Sequence, residues 1–356
     1  MAIQKILIEQ ALTLAKSLPV FDVRSPAEYA HAHIPGAISL PIFDDAQRAE
    51  IGTSYKQSSV QDAIKIGLKH FGHKLNDYIS IVEEHAKTIS NSEIILHCWR
   101  GGMRSQAMAW VLDFYGYDVY LIIGGYKAYR NHVLNSFQLP IEFNVLGGST
   151  GSAKTFILEK LKEMGESVID LEGIAHHRGS SFGALGMPIQ PSQEQFENNL
   201  HKELSNYFSI DEEQGYHQPK KIWIENESQR IGLVNIPKVL FERMLSSKLF
   251  VLQIPFEERL KLIVEQYGKF TKEELIDATI RIQKKLGGLE TKNVISFLEV
   301  GNIYKAFELL LMYYDRGYKA ASSRTNRIPS ILVLEKIDIE QNAIALLNFA
   351  NGNRRN

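Results

Sequence analysis

The stretch SEIILHCWRGGMRSQAMAWVLDFYGYDVYLIIGG, residues 92–125, decides how the chain folds. SEIILHC is a short apolar run ending on a cysteine, the signature of a buried strand. RSQAMAWVLDFYGY has helical character and closes near Gly116, a residue suited to a helix end. DVYLIIGG is a second buried run. Two buried strands joined by a helix make a parallel unit, because a parallel pair needs a crossover long enough to hold that helix.

Working outward, the same alternation continues. LPVFDVR reads as a strand, and SPAEYAHAHI opens a helix with Ser-Pro. PGAISLP is a turn followed by a short strand, and residues 60–75 and 76–89 have helical periodicity. At 131–141, NHVLNSFQLPI breaks the pattern and a fresh series begins. IEFNVLGG, ESVIDLEG, KKIWIENES and SKLFVLQIP are strand candidates. TFILEKLKEMG is a helix between the first two, and a further helix separates the last two. From residue 256 the chain is mostly helical. The reading is α/β with two domains, 1–137 and 138–356, the second having a helical C-terminal part. The final NGNRRN is expected to fray.

Composition bounds the function. With 44% hydrophobic and 23% charged residues, 356 residues make well-cored globular domains. No apolar run is long enough for a transmembrane helix, so no membrane partner is expected. The opening MAIQKILIEQALTLAKS is apolar at helical spacing and lacks a small-residue cleavage site, so no secretory signal is expected. A single cysteine excludes a disulfide framework within the chain and a cysteine zinc cluster. A cytoplasmic location is expected. Residues 1–140 carry 13 Lys/Arg and 13 Asp/Glu, against 27 and 28 in the remainder. A nucleic-acid partner must therefore be met by a local patch.

Cys98 ends a strand, and the loop Trp99-Arg100-Gly101-Gly102-Met103 curls into a helix beginning near Arg104 and Ser105. The carboxyl edge of a parallel sheet is where ligands bind. Two glycines let amides turn inward. The helix N-terminus, Arg100 and Arg104 add positive potential. Together these favour thiolate over thiol, in a cradle suited to an anionic sulfur or selenium donor. Most lone cysteines are inert and buried; the glycines and arginines argue against that fate here.

LGGSTGSAKT, residues 146–155, lies between a strand and a helix, the context of a phosphate-binding loop. Gly148, Lys154 and Thr155 fit the Gly-x4-Gly-Lys-Ser/Thr pattern, with Ser149, Thr150, Gly151 and Ser152 between. Ala153 replaces the second glycine. If that position has positive φ, alanine costs about 1 kcal/mol or more; if φ is negative, the methyl only crowds the phosphate. Amides of Gly151, Ser152 and Ala153, with Lys154, would still hold an anion.

DLEGIAHHRGSSFG, 170–183, gathers Asp170, Glu172, His176, His177 and Arg178. The adjacent histidines point different ways, so no metal set is assigned to them; diphosphate or tRNA phosphate suits these groups better. IWIENESQRIG, 222–232, ends a strand with Glu225 and Glu227 on one face, near Arg230. One of the two glutamates is read as a Mg2+ contact or a base, a solvated strand end being nearly as consistent. Arg281, Lys284 and Lys285 fit a solvated helix face better than tRNA phosphate contacts.

The cysteine loop resembles the rhodanese family, as do DVRSPAEYAHAHIPGAISLP and GGYKAYR. The resemblance implies sulfur or selenium carried on Cys98. For Asp22, Arg24 and His33 an ion pair and a turn are expected. No second thiol exists to resolve an adduct on Cys98, so the chalcogen must pass directly to a substrate. Joined to a P-loop NTPase-like half with DLEGIAHHRGSSFG, IWIENES, Leu286-Gly287-Gly288 and YYDRGY (313–318), the chain resembles the tRNA 2-selenouridine synthase family.

That family's activity implies 2-thiouridine at the wobble position of tRNAs for Lys, Glu and Gln as substrate. Sulfur is first alkylated from geranyl diphosphate, and the S-geranyl group is then displaced by selenium from selenophosphate. Both are co-substrates, and no tightly bound cofactor is expected. Lys154 would hold the pyrophosphate, and the Cys98 cradle the selenophosphate or its selenium. The apolar residues of the helical part would supply a geranyl groove, although such stripes are usually core. The competing expectation is a sulfurtransferase coupled to an ATP-using kinase-like domain; a decayed phosphate- or tRNA-sensing module is a third.

Overall fold

The computed structural model describes residues 3–86, 92–211, 215–218, 220–322 and 327–352. The expected fraying of 353–356 and the end of the expected helix, 87–89, lie outside them. The chain divides into Met1–Ser136 with Glu197–His201, and Phe137–Phe196 with Lys202–Asn356.

The first unit runs β1 (Gln4–Ile6), α1 (Ile8–Leu14), β2 (Val20–Asp22), α2 (Pro26–His31), β3 (Ile38–Ser39), α3 (Asp45–Gln57), α4 (Val60–Gly72), α5 (Leu75–Ala86), β4 (Glu93–His97), α6 (Met103–Tyr115), β5 (Asp118–Ile122) and α7 (Gly125–Ser136). Its sheet order is β1-β5-β4-β2-β3, every pair parallel. A parallel sheet with both faces covered needs strands that are apolar throughout, and Ile94, Ile95 and Leu96 are fully buried. Helix α2 starts where Ser-Pro directs it: the Glu28 carboxylate accepts the Ser25 amide at 3.1 Å. Helix α6 stops at Gly116, φ 120°.

Two expectations are corrected. The opening segment is not one helix, because residues 4–6 pair with β5 as an edge strand. The break expected at 131–141 falls late, because α7 runs through Ser136, burying Tyr126, Tyr129 and Val133 on one side. Helix α3 was not legible: its residues carry no apolar stripe, and none of them is fully buried.

The second unit contains β6 (Phe143–Gly148), α8 (Lys154–Glu163), β7 (Val168–Ile169), α9 (Leu171–Ala175), α10 (Gln193–Leu204, whose residues 197–201 belong with the first unit), β8 (Ser209–Asp211), β9 (Gly215–His217), β10 (Ile222–Glu225), β11 (Arg230–Ile231), β12 (Val234–Asn235), α11 (Lys238–Ser246), β13 (Lys248–Gln253), α12 (Phe256–Tyr267), α13 (Lys272–Arg281), α14 (Gln283–Leu286), α15 (Gly288–Glu299), α16 (Ile303–Ser322), β14 (Ser330–Val333) and α17 (Ile339–Gly352). Its parallel sheet has the order β14-β13-β6-β10-β7. Strand β6 is central and fully buried, so its carboxyl end opens between β10 and β13, where ligands bind in such sheets.

Strand β14 interrupts the expected helical run. The apolar residues of α12–α16 pack on one another: Leu260, Ile263, Leu275, Leu298 and Leu310 are buried together with Phe182. They form core, and no open apolar groove is assigned to them. Among the described residues no helix is long and apolar enough to cross a membrane.

Candidate active site

The first cluster sits at the carboxyl end of β4. Cys98 is 3% exposed and belongs to the unit's core. The open thiol that the sequence suggests is thus a covered one. Its sulfur is nonetheless in polar company, since the Ser105 hydroxyl donates to Sγ at 3.3 Å. Burial pushes the thiol up. The Ser105 hydroxyl, the amides of Arg100 and Ser105, and the charge of Arg104 outweigh it and bring the thiol below its ordinary value.

Arg104 also forms a two-toothed pair with Glu28, at 2.5 and 3.2 Å, so part of its charge is already met. Arg100 acts on the sulfur through its amide while its side chain is exposed, and Met103 is exposed too. Gly101 has φ 69°. The loop is clasped from behind by the turn after β5. Tyr126 donates its amide to the Cys98 carbonyl at 2.8 Å, and Lys127 donates to Trp99 at 3.0 Å. A Cβ at Gly125 would lie 2.3 Å from the Cys98 oxygen, so only glycine fits that approach.

Asp22 and Arg24 form a buried ion pair at 2.5 Å, and the guanidinium lies 3.8 Å over the Tyr126 ring. His33 donates Nδ1–H to the Tyr29 carbonyl at 3.0 Å and stacks on that tyrosine. These residues shape the loop's surroundings. Ser105 is the residue of chemical weight that loop spacing alone did not single out; its signal is a hydroxyl two positions into the helix that follows the thiol.

The second cluster follows β6. Gly148, Gly151 and Ala153 have φ of 155°, 79° and 58°. Ala153 therefore adopts the left-handed conformation that its glycine-replacing position raised as one alternative, at a cost of about 1 kcal/mol. The backbone shape of a phosphate loop is kept. Ser152 donates its amide to Ser149 at 3.2 Å within the turn, and its buried hydroxyl has no hydrogen-bond partner. Lys154 reaches back to the Gly148 carbonyl at 3.3 Å.

Thr155 donates to Glu225 at 2.8 Å and lies 3.3 Å from Glu172. Glu172, Glu225 and Glu227 bring carboxylate oxygens within 4.8 Å of one another. Burial raises all three. Glu227 then raises Glu172, and Glu172 raises Glu225, while the Lys154 charge pulls both down. Glu227 is pushed up to about 7 by burial and Glu225, with Lys154 opposing. One Glu225 oxygen is buried without a hydrogen-bond partner. Such a set is costly unless a proton or a cation sits within it. The sequence placed Glu225 and Glu227 on one strand face. Strand β10 ends at Glu225, and Glu227 joins the group past it through a tight turn, its amide on the Glu225 carbonyl at 3.0 Å.

The other expected residues are placed differently. Asp170 caps α9, accepting the Gly173 amide at 2.8 Å. His176 ends that helix at φ 51° and donates to the Ile189 carbonyl at 2.9 Å. His177 is half-buried, its Nδ1 without a partner, and burial with the Arg281 charge lowers its pKa. Arg178 bonds the Tyr267 hydroxyl, and Gly179 leaves a Cβ only 2.7 Å from Glu227. Arg230 is exposed and donates to the Gly232 carbonyl at 2.8 Å, within its own hairpin. Arg281, Lys284 and Lys285 are exposed.

Comparison with known proteins finds matches for both halves of the chain. Residues 141–336 match the family model of the tRNA 2-selenouridine synthase AAA domain. Residues 7–132 match that of the rhodanese-like domain. A tRNA 2-selenouridine synthase of Sulfurovum sp. (strain NBC37-1) is 35% identical, over 84% of this chain and 87% of that protein. One from Bdellovibrio bacteriovorus is 32% identical, over 87% and 90%. A solved N-terminal domain of a putative ATP/GTP binding protein from Clostridium difficile 630 is 39% identical over 37% of this chain, with a TM-score of 0.35. The family model over residues 141–336 and the extent and identity of the two synthase matches place the chain in the tRNA 2-selenouridine synthase family.

Proposed function

We propose that the chain is a tRNA-modifying enzyme that exchanges the sulfur of a wobble 2-thiouridine for selenium, in tRNAs for Lys, Glu and Gln. Geranyl diphosphate alkylates the sulfur first, and selenophosphate then supplies selenium. The observation that carries the reading is that one chain holds both a cysteine loop that favours a thiolate and a phosphate loop with its left-handed turns intact.

The order follows from leaving-group chemistry. A C2 thiocarbonyl resists substitution because sulfide leaves poorly. When sulfur bonds to the geranyl C1, the C–O bond to diphosphate breaks and the uracil N3 proton is lost. The ring C2 becomes more electrophilic. The selenium of hydrogen selenophosphate then attacks C2, sulfur departs with the selenol proton as geranyl thiol, and water cleaves the Se–P bond to release phosphate, N3 regaining its proton. The amides of residues 151–153 and Lys154 hold the diphosphate and stabilise it as it leaves. The Cys98 loop receives selenophosphate and presents its selenium.

Glu172, Glu225 and Glu227, with Thr155, fit a magnesium ion: the orphaned Glu225 oxygen supplies an open donor, and all donors are oxygens. Such an ion would supply charge for a diphosphate. The same arrangement beside Thr155 is what favours the second reading, a sulfurtransferase coupled to ATP use.

The test is to incubate the pure chain with a 2-thiouridine stem-loop and geranyl diphosphate, then add selenophosphate, following RNA mass. A geranyl adduct followed by a selenium-for-sulfur exchange is expected. Turnover that needs ATP and ignores geranyl diphosphate would favour the second reading.

A further inference from the structure

YYDRGY, residues 313–318, is a motif that neither cluster uses directly. It lies in α16, and its Asp315 takes both ends of a guanidinium from α12. Arg259 donates to Asp315 at 2.9 and 2.7 Å. Arg259 is 6% exposed. It also donates to main chain: to the Ile254 carbonyl at 3.2 Å, and to the Thr150 carbonyl, inside the phosphate loop, at 3.0 Å. The backbone of α12 also abuts the next residue. A Cβ at Gly151 would lie 2.9 Å from the Arg259 carbonyl oxygen and 2.8 Å from Ile263. Helix α12 thus grips the loop at two consecutive residues, by a hydrogen bond and by contact.

That grip bears on Ala153. A non-glycine residue keeps a left-handed conformation only where its surroundings over-determine it, and Ala153 sits three residues past the gripped carbonyl with φ 58°. The bond from Arg259 fixes the Thr150 carbonyl, and with it the peptide plane from which the following turn starts. A planar guanidinium held at both ends by a carboxylate is rigid enough for this, whereas an ammonium is not.

We propose that Arg259, oriented by Asp315, is a positioning residue that holds the phosphate loop in its anion-binding shape and so makes alanine tolerable at 153. The inference rests on the reading of residues 148–155 as a diphosphate site. The YYDRGY segment owes its place near the site to this role.

The test uses the full chain with Asp315→Asn, which keeps size and removes the charge, and Arg259→Lys, which keeps charge and removes the fork. Inorganic pyrophosphate is the probe, by calorimetry, and hydrogen exchange of peptides spanning 149–155 is the second readout. About tenfold weaker binding is expected in each variant, with faster exchange in 149–155 and unchanged exchange in β10. Adding Ala153→Gly to Asp315→Asn is expected to recover most of the affinity. A role in stability only would lower exchange protection in β10 as much and would not be rescued at 153, which would overturn the proposal. So would unchanged exchange in both variants. If the unaltered chain fails to bind pyrophosphate, the diphosphate reading falls, while loop exchange still decides whether Arg259 holds the loop.

Discussion

At the scale of a residue, the chemistry of Cys98 turns on one hydroxyl. A buried thiol should be hard to ionise, yet Ser105 and two amides outweigh burial. Ser105→Ala removes one donor and leaves the amides. The pH–rate curve for alkylation of Cys98 by iodoacetamide should then shift upward by about one unit, since a donor to a charged acceptor contributes ~1.5 kcal/mol or more. An unshifted curve would mean that the hydroxyl merely fills space. At 3% exposure the residue is covered, so absolute rates should be low and should rise when the loop is loosened, as by Gly125→Ala, whose Cβ has no room beside the Cys98 carbonyl. The thiol and its glycines were legible because they are adjacent in sequence. Its coverage was not, since it belongs to a core whose members include Phe21, Val23, Leu40 and others distant in the chain.

At the scale of an element, two predictions follow from the turn after β6 and the strand ends around it. Ala153→Gly should raise the melting temperature by about 2–4 °C, by relieving about 1 kcal/mol of left-handed strain; a fall would show that the methyl's packing against Leu146 and Ile157 matters more. The three glutamates set a pH dependence. Their pKa values are raised, with Glu227 at about 7. The free protein therefore holds extra protons relative to the unfolded chain, and their stabilising effect is lost as pH rises from about 4.5 through 7. A divalent cation must displace those protons, so the stabilisation given by Mg2+ should grow between pH 6 and 8.5. Thermal melts with and without the ion check this, and a pH-independent increment would contradict it. The phosphate loop could be read from spacing because all its parts are local. The carboxylate group could not, because Glu172 meets Glu225 and Glu227 only through the order β6-β10-β7. Strand β14 was hidden for a similar reason: four residues at a sheet edge, only partly buried, carry too little pattern to stand out within a helical run.

At the scale of the whole molecule, the α/β class and the buried strands of both series were legible because buried parallel strands are apolar throughout and separated by helices, whereas the edge strands β1 and β14 were not. The assignment of residues 197–201 to the first unit was not, because it depends on side-chain pairing far apart in sequence: Arg130 bonds Glu197 at 2.5 Å, and Asn198 bonds Tyr126 at 2.9 Å. The central claim is a division of labour, with alkylation at the phosphate loop and selenium handled at the cysteine. Its most direct measurement is stage-resolved mass analysis of a 2-thiouridine stem-loop, given geranyl diphosphate and then selenophosphate, with Lys154→Ala and Cys98→Ala chains. The account predicts that Lys154→Ala forms no geranyl adduct, and that Cys98→Ala forms it and stops there. A Cys98→Ala chain that goes on to exchange selenium for sulfur at the unaltered rate would contradict it.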